Sequence, residues 1–211
     1  MYPEEGLTQY EYNPELGLQL LAEAGWTDTD GDGFVDRNGL KFEVTINTTS
    51  GNAMREIITQ VTQEDMRTCG VDVIIELLPS TQYFADGPDG PLFGRIFDLG
   101  EFAWLTGVEP PVDLYYCDQW PSEESGWSGQ NNPGYCNPAY DSLGKQAEGT
   151  LSRDAQAPLY AEAQAIFSDD LPVLPLFQRI SVSATRPGIL NYMPNATINS
   201  AMWNIWEWDI E

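Results

Sequence analysis

The chain has 211 residues, with 33 Asp plus Glu against 9 Lys plus Arg, a formal charge of -24, and no histidine. That charge disfavours nucleic-acid and anionic-membrane partners, which need clusters of Lys and Arg, and the missing histidine removes Ser-His-Asp catalysis, Cys-His catalysis and His-ligated zinc from this chain. A hydrophobic fraction of 42% with 7 Trp is enough for a real core, so wholesale disorder is excluded as well.

Met1-Tyr2-Pro3 leads straight into polar sequence without a visible signal peptide, and no apolar run approaches the roughly 20 residues of a membrane helix. Such a start suits a cytosolic protein or a piece of a longer, exported one. Asn13, Pro14 and Glu15 read as the cap and first turn of a helix that Gly25 ends, with Leu16, Leu20 and Ala24 on one face and Leu21 beside it. The acidic turn DTDGDGFVDRNG follows, then a half-buried strand in which Phe42, Val44 and Ile46 alternate with Lys41, Glu43 and Thr45. A polar link, residues 47–52, leads into a second helix over 53–69, stopped by Gly70 and followed by a strand over 71–78. Strand, helix, strand is a βαβ unit, for which parallel strands and a right-handed crossover are expected.

A third strand is expected over 95–104, helices near 138–148 and 152–169, and short strands over 173–177 and 180–184. Without repeats or an evident linker, residues 1–211 read as a single α/β domain. Residues 106–138 form a turn-rich, aromatic stretch too long for an ordinary connector. Within it, Cys117 and Cys136 bracket a Gly-, Pro-, Ser- and Asn-rich loop that a disulfide can tie down. Cys69 differs. It follows the helical stripe of Met54, Ile57, Ile58, Val61 and Met66, which predicts a buried free thiol. A pair plus one core cysteine points to an oxidising compartment.

Three segments could carry chemistry. In Asp28-Thr29-Asp30-Gly31-Asp32-Gly33-Phe34-Val35-Asp36, Asp28, Asp30, Asp32 and Asp36 stand at carboxylate positions of a calcium-type loop, with Gly33 at the turn and the Phe34 carbonyl next. Gly39 replaces the closing bidentate Glu. The competing reading is an acidic hairpin held by Asx-turns. Second, Thr49 and Asn52 lie on a strand-to-helix link, which faces ligand in parallel sheets but can equally be a plain cap by Ser50 or Asn52. Arg55, one turn on, could reach a ligand carboxylate or pair with Glu56 or Glu64. Third, Trp104, Thr106, Gly107 and Glu109 follow a strand in a kinked loop suited to a pocket, although aromatics there are more often core. Trp120 and Trp127 either stack on a ligand or pack their loop down. Carboxylate pairs identify no enzyme in so acidic a chain.

The order of YNPELGLQLLAEAGWTDTDGDGFVDRNGLKFEVTI, GNAMREIITQVTQEDMRTCGVDVIIELL, GRIFDLGEFAW and the tail YAEAQAIFSDDLPVLPLFQ resembles family 5 extracellular solute-binding proteins, the peptide-binding components of ABC importers. It extends over about Tyr12 to Asn191. The resemblance implies a periplasmic-binding-protein-like lobe, α/β with a mixed sheet flanked by helices, corresponding to the carboxy-terminal lobe of a longer two-lobe protein. It also implies a small-molecule solute (peptide, sugar or chelate), an ABC permease as partner, a missing amino-terminal lobe, and a periplasmic or extracellular site with a lipoprotein anchor conceivable in the full protein. No nucleic acid, enzyme activity or required cofactor is implied, and calcium would be structural. In peptide-binding members an Asp three residues after the Trp holds the ligand amino terminus. Here Trp104 fits but Gly107 stands at the acidic position, while Glu109 and Pro110 match a later acid-proline pair. The runner-up reading is a calcium-stabilised extracellular interaction module without a small ligand, and a carboxylate-based hydrolase is a distant third.

Overall fold

The structure, a computed structural model, describes residues 6–105, 110–178, 180, 182–195 and 200–211. Two compact units emerge: residues 1–102 with 113–172, and residues 103–112 with 173–211. Because the chain passes between them more than once, no single linker marks the division.

In the first unit, α1 (Pro14–Glu23) starts as its sequence dictates, with the Asn13 side chain accepting the Leu16 N–H at 3.0 Å. Gly25, at φ +87°, takes the chain out of the helix in a conformation that L side chains avoid. The inward face differs from the expected one. Leu16, Leu20 and Ala24 are exposed, whereas Gly17 and Leu21 face the body of the unit. Gly17 makes this possible, since a Cβ there would lie 3.0 Å from the Cys69 sulfur. Cys69 itself is half-buried rather than buried, its thiol directed to the Pro14 carbonyl at 3.7 Å.

A small antiparallel pair, β1 (Asp36–Arg37) and β2 (Leu40–Lys41), precedes the main sheet. That sheet is built from β3 (Glu43–Thr49), the crossover helix α2 (Ala53–Arg67), β4 (Asp72–Leu78), a short α3 (Ser80–Tyr83) and β5 (Leu99–Gly100). The strand order is β4-β3-β5, with both neighbours parallel to β3. Val44 sits opposite Val73 and Ile46 opposite Ile75, so one face becomes apolar. Leu21, Phe42, Met66 and Leu99 complete this cluster, each fully buried aliphatic contributing about 1.5–3 kcal/mol. Only part of the α2 stripe takes part: Met54, Ile57 and Val61 are exposed, while Ile58 and Met66 are half-buried. A second cluster joins Leu78, Tyr83 and Leu92 to Phe93, Phe97 and Phe102.

Two strand predictions need correction. The first strand does not end at Ile46 but runs on through Asn47, Thr48 and Thr49, all buried, so the link is only Ser50-Gly51-Asn52. The third strand pairs over Leu99–Gly100 alone, because the Asp98 carboxylate takes the Thr45 N–H at 2.8 Å where a ladder carbonyl would otherwise stand.

Helices α4 (Pro138–Glu148) and α5 (Arg153–Asp170) form a hairpin near the predicted boundaries. The loop before it is closed by the Cys117–Cys136 disulfide. Inside that loop the buried Asn131 amide donates to the Tyr116 and Tyr135 carbonyls and accepts the Tyr135 N–H. Both tryptophans serve packing. Trp120 donates to the Tyr135 carbonyl at 3.0 Å, and the Trp127 ring lies against Gly87, where a Cβ would be 2.1 Å from it.

The second unit contains the antiparallel pair β6 (Ile189–Leu190) and β7 (Asp209–Ile210), which sequence reading did not anticipate. Buried Asn204 ties it, donating to the Asn191 carbonyl and accepting from the Trp208 indole. The short strands expected over 173–177 and 180–184 are absent among the described residues. Their apolar side chains at Leu174, Leu176, Ile180 and Val182 stand exposed, with no described strand beside them.

Candidate functional site

In an open parallel sheet, ligands collect at the carboxyl ends of strands where neighbouring connections leave in opposite directions. β3 provides that point: the chain passes by α2 to β4 on one side and later reaches β5 on the other. Thr49 ends β3, Gly51 turns the chain at φ +79°, and Asn52 caps α2 by accepting the Arg55 N–H at 3.3 Å. The Glu56 carboxylate reaches back to the Gly51 N–H at 2.8 Å, so the plain capping role is real.

More than a cap is assembled there. Arg55 donates from Nη1 to Thr49 Oγ1 at 2.6 Å and holds Nε 4.0 Å from the Glu101 carboxylate. Thr48 Oγ1 donates to Glu101, lying 2.5 Å from Oε2 and 2.9 Å from the carbonyl oxygen. The Glu101 N–H donates to the Asn47 carbonyl at 2.9 Å, which fixes the acid just beyond β5. Beneath it the buried Tyr83 phenol is pushed well above its ordinary pKa, first by burial and then by the Glu101 charge. Gly100 admits that phenol, since a Cβ would stand 3.0 Å from its oxygen.

Of the sequence-derived ligand residues, Thr49 and Asn52 therefore share this cluster with Arg55. Trp104 belongs to the second unit, and Thr106, Gly107 and Glu109 lie outside the described residues. Sequence reading passed over Thr48 and Glu101. The available signal was an acid directly after a strand-like apolar run. Chemically, the cluster offers a cation with a planar fork of donors, an anion, and two hydroxyls. Such a set suits a polar solute that carries both charges.

The acidic loop is a second locus. One carboxylate oxygen each of Asp28, Asp30 and Asp36 lies within 4.8 Å of the others. Asx-turns are present too. The two Asp28 oxygens accept the Gly31 and Gly33 N–H groups, and Asp36 accepts from the Thr29 N–H and hydroxyl. Asp32 turns instead to Lys41 at 3.1 Å, and the Phe34 N–H together with Lys41 holds its carboxyl below the usual range. The Phe34 ring stacks under the Lys41 ammonium at 4.3 Å. The Val35 N–H donates to the Gly70 carbonyl at 2.7 Å, anchoring the loop to the turn between α2 and β4.

The family model for bacterial extracellular solute-binding proteins, family 5, middle region, matches residues 1–122. This chain belongs to that family. The oligopeptide-binding protein AppA of Bacillus subtilis is 30% identical over 173 residues, which is 81% of this family 5 chain and 30% of AppA. The nickel-binding periplasmic protein of Escherichia coli is 30% identical over 113 residues, covering 54% of this chain and 21% of that protein. A solved oligopeptide-binding protein from Thermus thermophilus, in complex with a pentapeptide, superposes with a TM-score of 0.83 at 30% identity, over 99% of this chain and 36% of that one. The family 5 chain thus spans about a third of the length of AppA and of the Thermus protein. Its fold is periplasmic-binding-protein-like α/β, as the order of sequence segments implied.

Proposed function

We propose that this chain is the solute-contacting part of an extracellular binding protein that captures a peptide and delivers it to an ABC permease. The observation that carries the reading is the Arg55–Glu101 pair at the carboxyl end of the central strand, flanked by Thr48, Thr49 and Asn52. A free peptide is zwitterionic. Arg55 can meet a carboxylate or a backbone carbonyl, and Glu101 an ammonium group or N–H. Family membership supports the reading, as do two relatives named for oligopeptide binding. Enclosure between this chain and a facing lobe would supply most of the affinity, because water exclusion strengthens each polar contact. The protein would act outside the cytoplasm, and its disulfide fits an oxidising compartment.

We also propose that Asp28, Asp30 and Asp36 hold a structural calcium ion, supported by their convergence and the hard-oxygen donor set. Asp32 is left to its ion pair with Lys41.

Calorimetric titration of the complete protein with di- to pentapeptides, oligosaccharides and nickel chelates tests the solute class. Saturable binding of peptides alone is expected. Binding of a sugar or chelate with no response to any peptide would overturn the peptide reading.

A further inference from the structure

Asn47, at the middle of the central strand, presents an anomaly. The residue is 3% exposed, and its side-chain Nδ2 donates to the Glu76 carboxylate on the neighbouring strand. A carboxylate only accepts, so this bond fixes which way the amide points. The other end, Oδ1, is buried and has no hydrogen-bond partner in the chain. Leaving a buried acceptor unmatched costs about 1–3 kcal/mol, and here the acceptor borders a cavity of about 400 Å³. The same cavity is lined by Glu76, Asp98, Ile96 and Phe97.

We propose that this cavity is a binding subsite for a primary ammonium group on an alkyl stem, such as a lysine side chain. Oδ1 of Asn47 can only receive a hydrogen bond, so its partner must be a donor. Two carboxylates on the same wall make a cationic donor the better match. Asp98 Oδ2 is already engaged by the Thr45 N–H and Glu76 Oε2 by Asn47, so each acid arrives oriented by a neighbour. The cation on the rim, Arg95, is directed elsewhere: its Nε donates to the Asn132 carbonyl at 3.2 Å, and its guanidinium lies 4.9 Å from the Trp120 ring. Ile96 and Phe97 supply an apolar wall for the stem. The volume falls within the range of small-molecule pockets and far exceeds what a bare ion fills. The subsite does not depend on the Arg55–Glu101 cluster and stands whether or not the transported solute is a peptide.

The test uses two probes of equal charge and stem. Isotope-labelled chain is titrated with n-butylammonium chloride and, separately, with butyltrimethylammonium chloride at constant ionic strength, following the side-chain amide resonances of Asn47. Saturable shifts with n-butylammonium alone are expected, because only that probe carries N–H donors. Glu76→Gln, at an exposed position that keeps the amide partner, should raise the saturation midpoint at least threefold, with the thermal midpoint unchanged. Asn47→Ala should abolish saturation; if it fails to fold, the Glu76→Gln comparison decides. Equal shifts with both probes would show charge screening only. No saturation with either would mean that water fills the cavity, and each of these results overturns the proposal.

Discussion

Arg55 and Glu101 face each other at 4.0 Å with only 16% and 11% of their side chains exposed. They come from opposite sides of the central strand, Arg55 from the first turn of α2 and Glu101 from just past β5. Thr49 and Thr48, adjacent on β3, hold one partner each. The strand end is thereby organised as a charge pair set on two hydroxyls, before any solute arrives.

Thr48 should matter for stability more than an ordinary strand threonine. Thr48→Val keeps the shape but removes the hydroxyl that donates to Glu101, a hydrogen bond to a charged group. A loss of about 1.5–3 kcal/mol is expected in urea unfolding. A change within about 0.5 kcal/mol, as for an ordinary surface substitution, would show that the bond contributes little.

The disulfide closes a loop with a sequence separation of 19. Replacing both Cys117 and Cys136 by Ser should cost about 3 kcal/mol by loop-closure entropy. Denaturant midpoints of the variant and the parent chain measure it. Asn131, which already bridges Tyr116 and Tyr135, should keep the loop partly formed and hold the loss near that value rather than above it.

Alkaline pH should unfold the first unit. Burial pushes the phenols of Tyr83, Tyr116, Tyr135 and Tyr140 well above their ordinary pKa. For a group raised in the folded state, the stabilisation is complete below the unfolded pKa, about 10 for tyrosine. It is then lost as pH rises through the folded value. Phenolate absorbance of these four should therefore appear together with loss of circular dichroism. Their ionisation in a chain that stays folded would contradict the account.

Calcium should raise the thermal midpoint and a chelator should lower it, with Asp28→Asn/Asp30→Asn removing the response. Unchanged midpoints under both treatments would leave the loop as a set of Asx-turns, for which its internal hydrogen bonds suffice.

Legibility in the sequence followed the range of the interactions involved. Helices α1, α2, α4 and α5 carry their own caps, at Asn13, Asn52, Asn137 and Ser152, and were found within a few residues. The βαβ unit and the disulfide were equally readable. Asn47, Thr48 and Thr49 were taken for a polar link because their partners, Glu76 and Glu101, lie 29 and 53 residues away. Local alternation cannot show that a polar side chain will be buried and satisfied. It also cannot show pairing, which is why 173–184 looked like strands while β6 and β7, two residues each, did not. Met54, Ile57 and Val61 form an apolar stripe that stays exposed, so periodicity named a face without naming what covers it. The candidate site was half legible: Thr49, Asn52 and Arg55 by their place at a strand-to-helix link, Thr48 and Glu101 only once the sheet order was known.

The most direct test of peptide capture at the strand end is the calorimetric affinity of the complete protein for its tightest-binding oligopeptide, measured beside Arg55→Ala and Glu101→Gln. Each substitution should weaken binding at least tenfold, about 1.4 kcal/mol, while circular dichroism remains that of the parent. Unchanged peptide affinity in both folded variants would contradict the account.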